Sequence, residues 1–359
     1  DSVRLYLFWL DYFNQNKIEA ISVCHAVYLT GIPLRIANEK NIKCFAISGF
    51  NCDLVNLTKK IKYSDKINGT DIHSEFYKKI FNDLPKDLRK EYLLRGKKIL
   101  NDITSGKEKY NYLKNSTYKK NKFKVDKKKS TKIKVVVFVH DFIDSPHIYG
   151  NHFFTDFKQW FNFLNKMIKQ TDYDWYIKEH PEIKEATKKE VNQLLKSNRN
   201  LKLLKKNFPN RLLKKMGVEF ALTVYGTAAS ELPFYGIKVI NASKNNPHQS
   251  FNFSITPKNL NDYKYILLNL KKIDLNFSYE DLYMFHFMKN FILKNNLFFN
   301  NEDKYFKILK EKPLRFTPIV YKNWLEDFNL KKHYKILNNL EEFINENSYF
   351  FVKKKFFTI

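Results

Sequence analysis

The stretch IKVVVFVH, residues 133 to 140, constrains the fold more than any other part of the sequence. Val135 to Val139 are five apolar residues in a row, four of them valines. β-branched side chains favour an extended backbone, and a run without polar alternation predicts a strand buried on both faces. Such a strand belongs in a parallel sheet covered by helices on both sides. The following sequence supplies the partners, in alternation. Helix is predicted from Thr155 to Lys169, strand from Asp174 to Ile177, helix from Ile183 to Ser197 and strand from Leu201 to Leu204. Helix Pro209 to Met216, strand Phe220 to Val224, helix Ala228 to Tyr235 and strand Lys238 to Ala242 complete the series. Four or more βα units in about 110 residues predict an open, doubly wound α/β sheet, whose ligands sit beyond the carboxyl ends of the strands.

The N-terminal fifty residues follow the same grammar on a smaller scale. Ser2 to Phe13 is periodic and aromatic, Ala20 to Cys24 is β-prone and ends at His25, Gly31 to Asn38 is helical, and Lys43 to Ile47 is a second strand. A βαβ order implies a parallel pair with a right-handed crossover. Residues 60 to 116 are helical in pattern, broken at Leu84-Pro85 and Gly106. Residues 118 to 132, YKKNKFKVDKKKSTK, carry eight lysines and little to bury, as a solvated linker would. The expected organisation is a Rossmann-like domain with a helical insert over 1–117, a basic linker over 118–132, a second Rossmann-like domain over 133–275, and an aromatic helical region over 276–359.

Composition narrows the setting. No run reaches the roughly 20 apolar residues a membrane-spanning helix needs, and Asp1 to Leu10 is too short and polar for a targeting segment. Cys24, Cys44 and Cys52 are odd in number and lack metal-ligand spacing, which points to thiols in a reducing compartment, the cytoplasm. The net charge of +27 attracts anionic partners, although an excess of Lys, Asn, Ile and Phe also fits AT-rich coding. The aromatic stretch YMFHFMKNFILKNNLFF (283–299) reads chiefly as a core contact, with a helix lying on a membrane as the other reading.

Three segments fall just after predicted strands, where a doubly wound sheet keeps its ligands. HDFIDSPHIYGNH (140–152) gathers His140, Asp141 and Asp144 in one loop. KEHP (178–181) ends a strand in Lys178, His180 and Pro181; Lys178 and His180, two apart, share a face and could both meet a phosphate. VYGTAASE (224–231) runs into a helix, with Gly226 allowing close backbone approach and Thr227 and Ser230 supplying hydroxyls. The first-turn amides there suit a phosphate, and Glu231 suits ribose hydroxyls or a base amine. The plainer reading is an N-cap, with Thr227 capping and Ser230 and Glu231 in the first turn. No G-x-G-x-x-G, P-loop, G-x-S-x-G or H-E-x-x-H motif is present. No metal and no resident cofactor is expected.

The order HDFIDSPH, YIKEHP, LTVYGTAASELPFYGIKVI resembles the C-terminal half of GT-B glycosyltransferases of the bacterial capsule polysaccharide biosynthesis type. That group includes Kdo transferases and, more distantly, bacterial sialyltransferases and teichoic-acid glycerophosphotransferases. CHAVYLTGIPLRIANEKNIKCF (24–45) is similar to the end of the acceptor domain of the same group. The resemblance implies a GT-B-like pair of Rossmann-like domains, acceptor side first and nucleotide-sugar side second. It also implies a CMP-linked donor, Lys178, His180 and Pro181 as the HP motif, and Thr227, Ser230 and Glu231 as the Ser/Thr motif. The same likeness implies a growing glycan acceptor at the inner face of the cytoplasmic membrane, and no nucleic acid. Asp141, Asp144, His140 and His25 are the candidates for the group that takes the acceptor proton. Two other classes stay open: a phosphotransferase using a CDP-alcohol, and a non-enzymatic basic module that binds anionic polymers.

Overall fold

The computed structural model describes residues 1–24, 26–48, 53–58, 74–105, 130–143, 152–181, 183–205, 207–244, 246–275, 277–293 and 328–346, with isolated positions at 318, 322, 325, 326 and 351. The chain is an α/β protein of two compact units, one of Asp1–Ser64, Asn68–Ile72 and Lys289–Ile359, the other of Asp65–Ile67 and His73–Met288.

The first unit contains α1 (Ser2–Gln15), β1 (Ala20–Val23), α2 (Tyr28–Glu39), β2 (Lys43–Ser48) and β3 (Asp53–Asn56). β1 and β2 are parallel, in register Ala20↔Lys43, as the βαβ pattern predicts, while β3 returns antiparallel to β2. The α2 helix starts three residues before the expected glycine, so Pro33 lies inside it. Phe45 and Leu54 form a small core with Phe343 from the helix at Leu330–Glu346 and with Phe351.

The second unit opens with α3 (Ser74–Asn82) and α4 (Lys86–Ser105), separated at Leu84-Pro85 as expected. These helices, assigned in sequence to the N-terminal domain, cluster with the second unit instead. The sheet follows: β4 (Lys134–Phe138), β5 (Asp174–Lys178), β6 (Lys202–Leu203), β7 (Val218–Thr223) and β8 (Lys238–Asn241), all parallel, in the order β6-β5-β4-β7-β8. Val135 and Val137 enter the core on one face and Val136 enters that on the other, which is why the run had no alternation. On the first face lies α5 (Phe157–Gln170), capped by Asp156, whose Oδ1 accepts from the Gln159 amide at 2.7 Å. There Trp160 is fully buried and its indole N–H donates to the Tyr263 hydroxyl of α8 (Leu260–Leu268) at 3.1 Å. α6 (Glu185–Ser197) packs against the same core through Val191 and Leu194.

The opposite face is covered by a short α7 (Ala228–Glu231) that tightens into a 3₁₀ turn, Leu232–Tyr235, and stops at Gly236. The predicted helix Pro209–Met216 is only a 3₁₀ turn at Asn210–Leu212 followed by further turns. Residues 205 to 216 must lead from one strand end back to the next start, and a tight turn does so in fewer residues.

α9 (Tyr279–Leu293) decides the reading of the aromatic C-terminal stretch. Leu282, Met284, Phe285, Phe287 and Met288 are buried, so this part is core; residues 294–299 lie outside those described. Among the described residues, no helix is long and apolar enough to cross a membrane.

Candidate functional site

With the order β6-β5-β4-β7-β8, successive connections leave β4 in opposite directions, and the switch point lies between β4 and β7. Just past the end of β4 stands His140, and just past the end of β7 the turn Val224-Tyr225-Gly226-Thr227. The two strand ends are joined by side chains. The Val224 N–H donates to His140 Nε2 at 3.2 Å, which places the ring proton on Nδ1. The Thr223 hydroxyl, 2.9 Å from the same nitrogen, donates to it and in turn accepts from the Gly226 N–H at 3.1 Å. The imidazole stacks on Phe157, 4.9 Å between ring centres and 15° apart in plane, and lies 4.8 Å from Tyr225. Burial pulls the His140 pKa down to about 3, with the charges of His180 and then His152 adding to the effect. His140 is therefore neutral at neutral pH, with its one basic nitrogen already engaged. It does not fit the role of proton acceptor.

Gly226 is required by packing. A Cβ there would lie 2.8 Å from Thr223 Oγ1 and 3.3 Å from His140 Cε1. Thr227 occupies the N-cap position of α7, but its backbone is already helical (φ −58°, ψ −23°) and its side chain caps nothing. The Ser230 amide bonds to the Thr227 carbonyl instead, at 3.0 Å. Thus the capping reading fails at Thr227, which is exposed. Ser230 turns inward: its hydroxyl donates to the Thr227 carbonyl at 3.1 Å, and its own carbonyl accepts from Nε2 of the buried His286 at 2.7 Å. Glu231 is buried on the same short helix; the Tyr235 hydroxyl, its pKa raised mainly by burial, feels that negative charge too.

Asp141 is 5% exposed and its carboxylate is spent on structure. Oδ1 accepts from the Thr187 hydroxyl at 2.8 Å and the Ile143 amide at 3.3 Å, and Oδ2 from the Lys184 amide at 3.0 Å. A carboxylate at the start of α6 satisfies amides that the helix leaves open and complements its dipole. These contacts fit a helix anchor better than the proton-accepting role expected of Asp141. Asp144 and His25 lie outside the described residues.

Lys178 also departs from the expected geometry. It is 2% exposed, and its ammonium donates to the Phe208 carbonyl at 2.6 Å, tying the 205–210 segment to the end of β5. Burial lowers its pKa to about 8, and among the described residues no carboxylate pairs with it. His180, two residues on, is half-buried; its carbonyl accepts from the Ile183 amide at 3.1 Å, and its charge reaches His140. Pro181 begins the turn that leads to α6.

Thr223, Tyr225 and Phe157 belong to this cluster and were not singled out in sequence; His152, one of the three histidines of the 140–152 loop, belongs to it as well. His152 stacks on Tyr225 at 5.3 Å, and a narrow cavity opens beside it among Phe154, Phe157, Trp160, Val224 and Ala242. Thr223 carried one readable sign: a hydroxyl directly after the apolar run Phe220 to Leu222 of a buried strand needs a partner. Tyr225 and Phe157 look like core residues in sequence, since only the fold brings them to His140. Among the described residues, no group of three or more His, Cys, Asp or Glu is arranged to hold a metal.

No family model matches the sequence, and no curated protein does. Ten solved chains match in structure. One is the β-Kdo 2,4 transferase of Thermosulfurimonas dismutans KpsC, at 12% identity over 74% of this chain and 77% of that one, with a TM-score of 0.42. Another is the β-Kdo 2,7 transferase of the same KpsC, at 9% identity over 77% and 78%, with a TM-score of 0.44. A third is S. aureus MnaA solved with UDP, at 14% identity over 88% and 82%, with a TM-score of 0.32. At these TM-scores the likenesses carry no weight for the site, whose chemistry rests on its own residues.

Proposed function

We propose that this chain is a glycosyltransferase whose second unit holds a CMP-activated sugar and passes that sugar to a growing bacterial surface glycan. The observation that supports it most is the exposed Thr227, whose side chain caps nothing and which follows a glycine turn at the switch point between β4 and β7. A doubly wound sheet binds its ligand there. His180 follows the neighbouring strand, β5, and its charge reaches the same cluster through His140.

Glycosyl transfer breaks the bond from the anomeric carbon to the phosphate oxygen, leaving negative charge on CMP. Groups placed to meet that charge lower the barrier. In this reading His180, as imidazolium, and the Thr227 hydroxyl both face the leaving phosphate. Lys178 acts at one remove, holding the Phe208 carbonyl and so the loop beside β5. With His140 and Asp141 committed to other contacts, Asp144 and His25 are the groups left to take the acceptor proton. Glu231 keeps its proposed contact with the ribose only if the helix end opens toward it, since the side chain is buried. The net charge of +27 supports attraction to an anionic glycan and to the inner face of the cytoplasmic membrane, without a spanning helix.

His180→Ala tests the assignment. Donor turnover with a CMP-sugar is expected to fall by roughly 10²–10³-fold, the usual cost of losing one charge-stabilising donor, with an unchanged unfolding midpoint. Turnover equal to that of the unaltered chain would sink the proposal.

A further inference from the structure

We infer that His140 is a positioning residue: by accepting hydrogen bonds across the switch point it holds the Tyr225-Gly226-Thr227 turn in the shape that meets the donor. The inference rests on the donor-site reading above. The backbone pairing of β4 with β7 ends at Val137↔Leu222, so beyond that point no ladder ties the turn to the β4 side, while β8 pairs with β7 only as far as Thr223. The tie continues through one side-chain atom. His140 Nε2 takes the Val224 amide and the Thr223 hydroxyl, and that hydroxyl takes the Gly226 amide. A single acceptor on the β4 side thus orders three donors on the β7 side.

The imidazole itself has little freedom, held between Phe157 of α5 and Tyr225. Its low pKa keeps it an acceptor across the physiological range, so the tie does not come and go with pH. The turn is shaped to the ring, since any Cβ at Gly226 would press on Thr223 Oγ1 and His140 Cε1. Without the acceptor, the Val224 amide and Thr223 hydroxyl would lose their partner in a half-buried place, and the turn would have to rearrange to recover one.

Two substitutions separate this role from simple aromatic packing. His140→Phe keeps the stacked ring and removes the acceptor; His140→Gln keeps an acceptor near the Nε2 position and removes the ring. CMP binding to the full chain is measured by calorimetry. His140→Gln is expected to stay within about threefold of the unaltered chain and His140→Phe to weaken by about tenfold or more, with Thr223→Val following His140→Phe. The pH profile of kcat/KM is expected to keep its shape in His140→Gln between pH 5 and 8. The reverse order, or CMP affinities that are all unchanged, overturns the inference. If the unaltered chain binds no CMP, the donor reading fails separately, and amide hydrogen exchange over 223–228 decides the positioning role. Faster exchange at Val224 and Gly226 in His140→Phe than in His140→Gln upholds it; equal exchange overturns it.

Discussion

Lys178 stands at the last position of β5 with its ammonium inside the protein, on a backbone carbonyl and not on a carboxylate. A lone buried ammonium costs more than one hydrogen bond returns. The folded pKa of about 8 lies below that of an unfolded lysine, so between roughly pH 8 and 10.5 the unfolded chain binds more protons. Stability therefore rises with pH across that window, and the cost is present in full below it. The span corresponds to about 3 kcal/mol. Lys178→Met removes the titration, and its stability advantage over the unaltered chain is expected to shrink as pH is raised from 7 to 10 in a urea-unfolding series. An advantage independent of pH would show that burial leaves the lysine's pKa where it stands in the unfolded chain. The sequence placed Lys178 at a strand end correctly but could not show which groups would surround it. Alternation gives a side chain its face of the sheet, while the Phe208 carbonyl arrives from a loop 30 residues later.

At the scale of elements, the strands of the second unit were largely readable and the irregular connections were not. IKVVVFVH announced a two-sided strand because five apolar residues in a row leave no wet face. The 209–216 segment was expected to be a helix, but it forms a tight turn under the sheet, with Leu213 fully buried. The pairing of α4 with α9 shows the same limit. Gly96 on α4 meets the backbone of α9 so closely that a Cβ would sit 2.0 Å from the Tyr283 carbonyl oxygen. Nearby, Tyr92 stacks on Phe287 at 4.3 Å. Gly96→Ala must push the helices apart, with an expected loss of about 3 kcal/mol or more in chemical unfolding, the upper range for overpacking a tight contact. Intrinsic propensity predicts the opposite sign, because alanine favours an isolated helix by about 1 kcal/mol over glycine. A stabilised Gly96→Ala variant would therefore refute the close approach.

At the scale of the whole molecule, a net charge of +27 sets the long-range preference for anionic partners, and under the proposed function the strand-end cluster sets the choice of ligand. Charge alone does not distinguish one nucleotide from another, so a thermal-shift series separates the two contributions. CMP is expected to raise the melting temperature more than CDP, UDP or GDP at equal concentration, because a ligand that binds only the folded state adds to its stability. The CMP effect is expected to survive 0.5 M salt better than any binding of anionic polysaccharide, since exposed charges are screened within a few ångströms at that ionic strength. UDP, which carries the other pyrimidine base of the series, is the informative competitor. A larger shift with UDP would exclude the CMP donor.

By itself the sequence determined which segments form the strands of the second sheet, that this sheet is parallel and covered on both faces, and which three loops follow its strands; β3 of the first unit was not legible. Those are consequences of local pattern: burial on two faces, side-chain alternation, and the punctuation of Gly and Pro. Only the tertiary structure decided what each polar group at those strand ends does. Asp141 anchors α6, Lys178 holds the loop at Phe208, Ser230 turns inward, and Thr227 is exposed and caps nothing. The physical reason is that a polar side chain's role is set by its partners. For Lys178 and His140 the decisive ones come from residues 30 and 84 positions away, Phe208 and Val224.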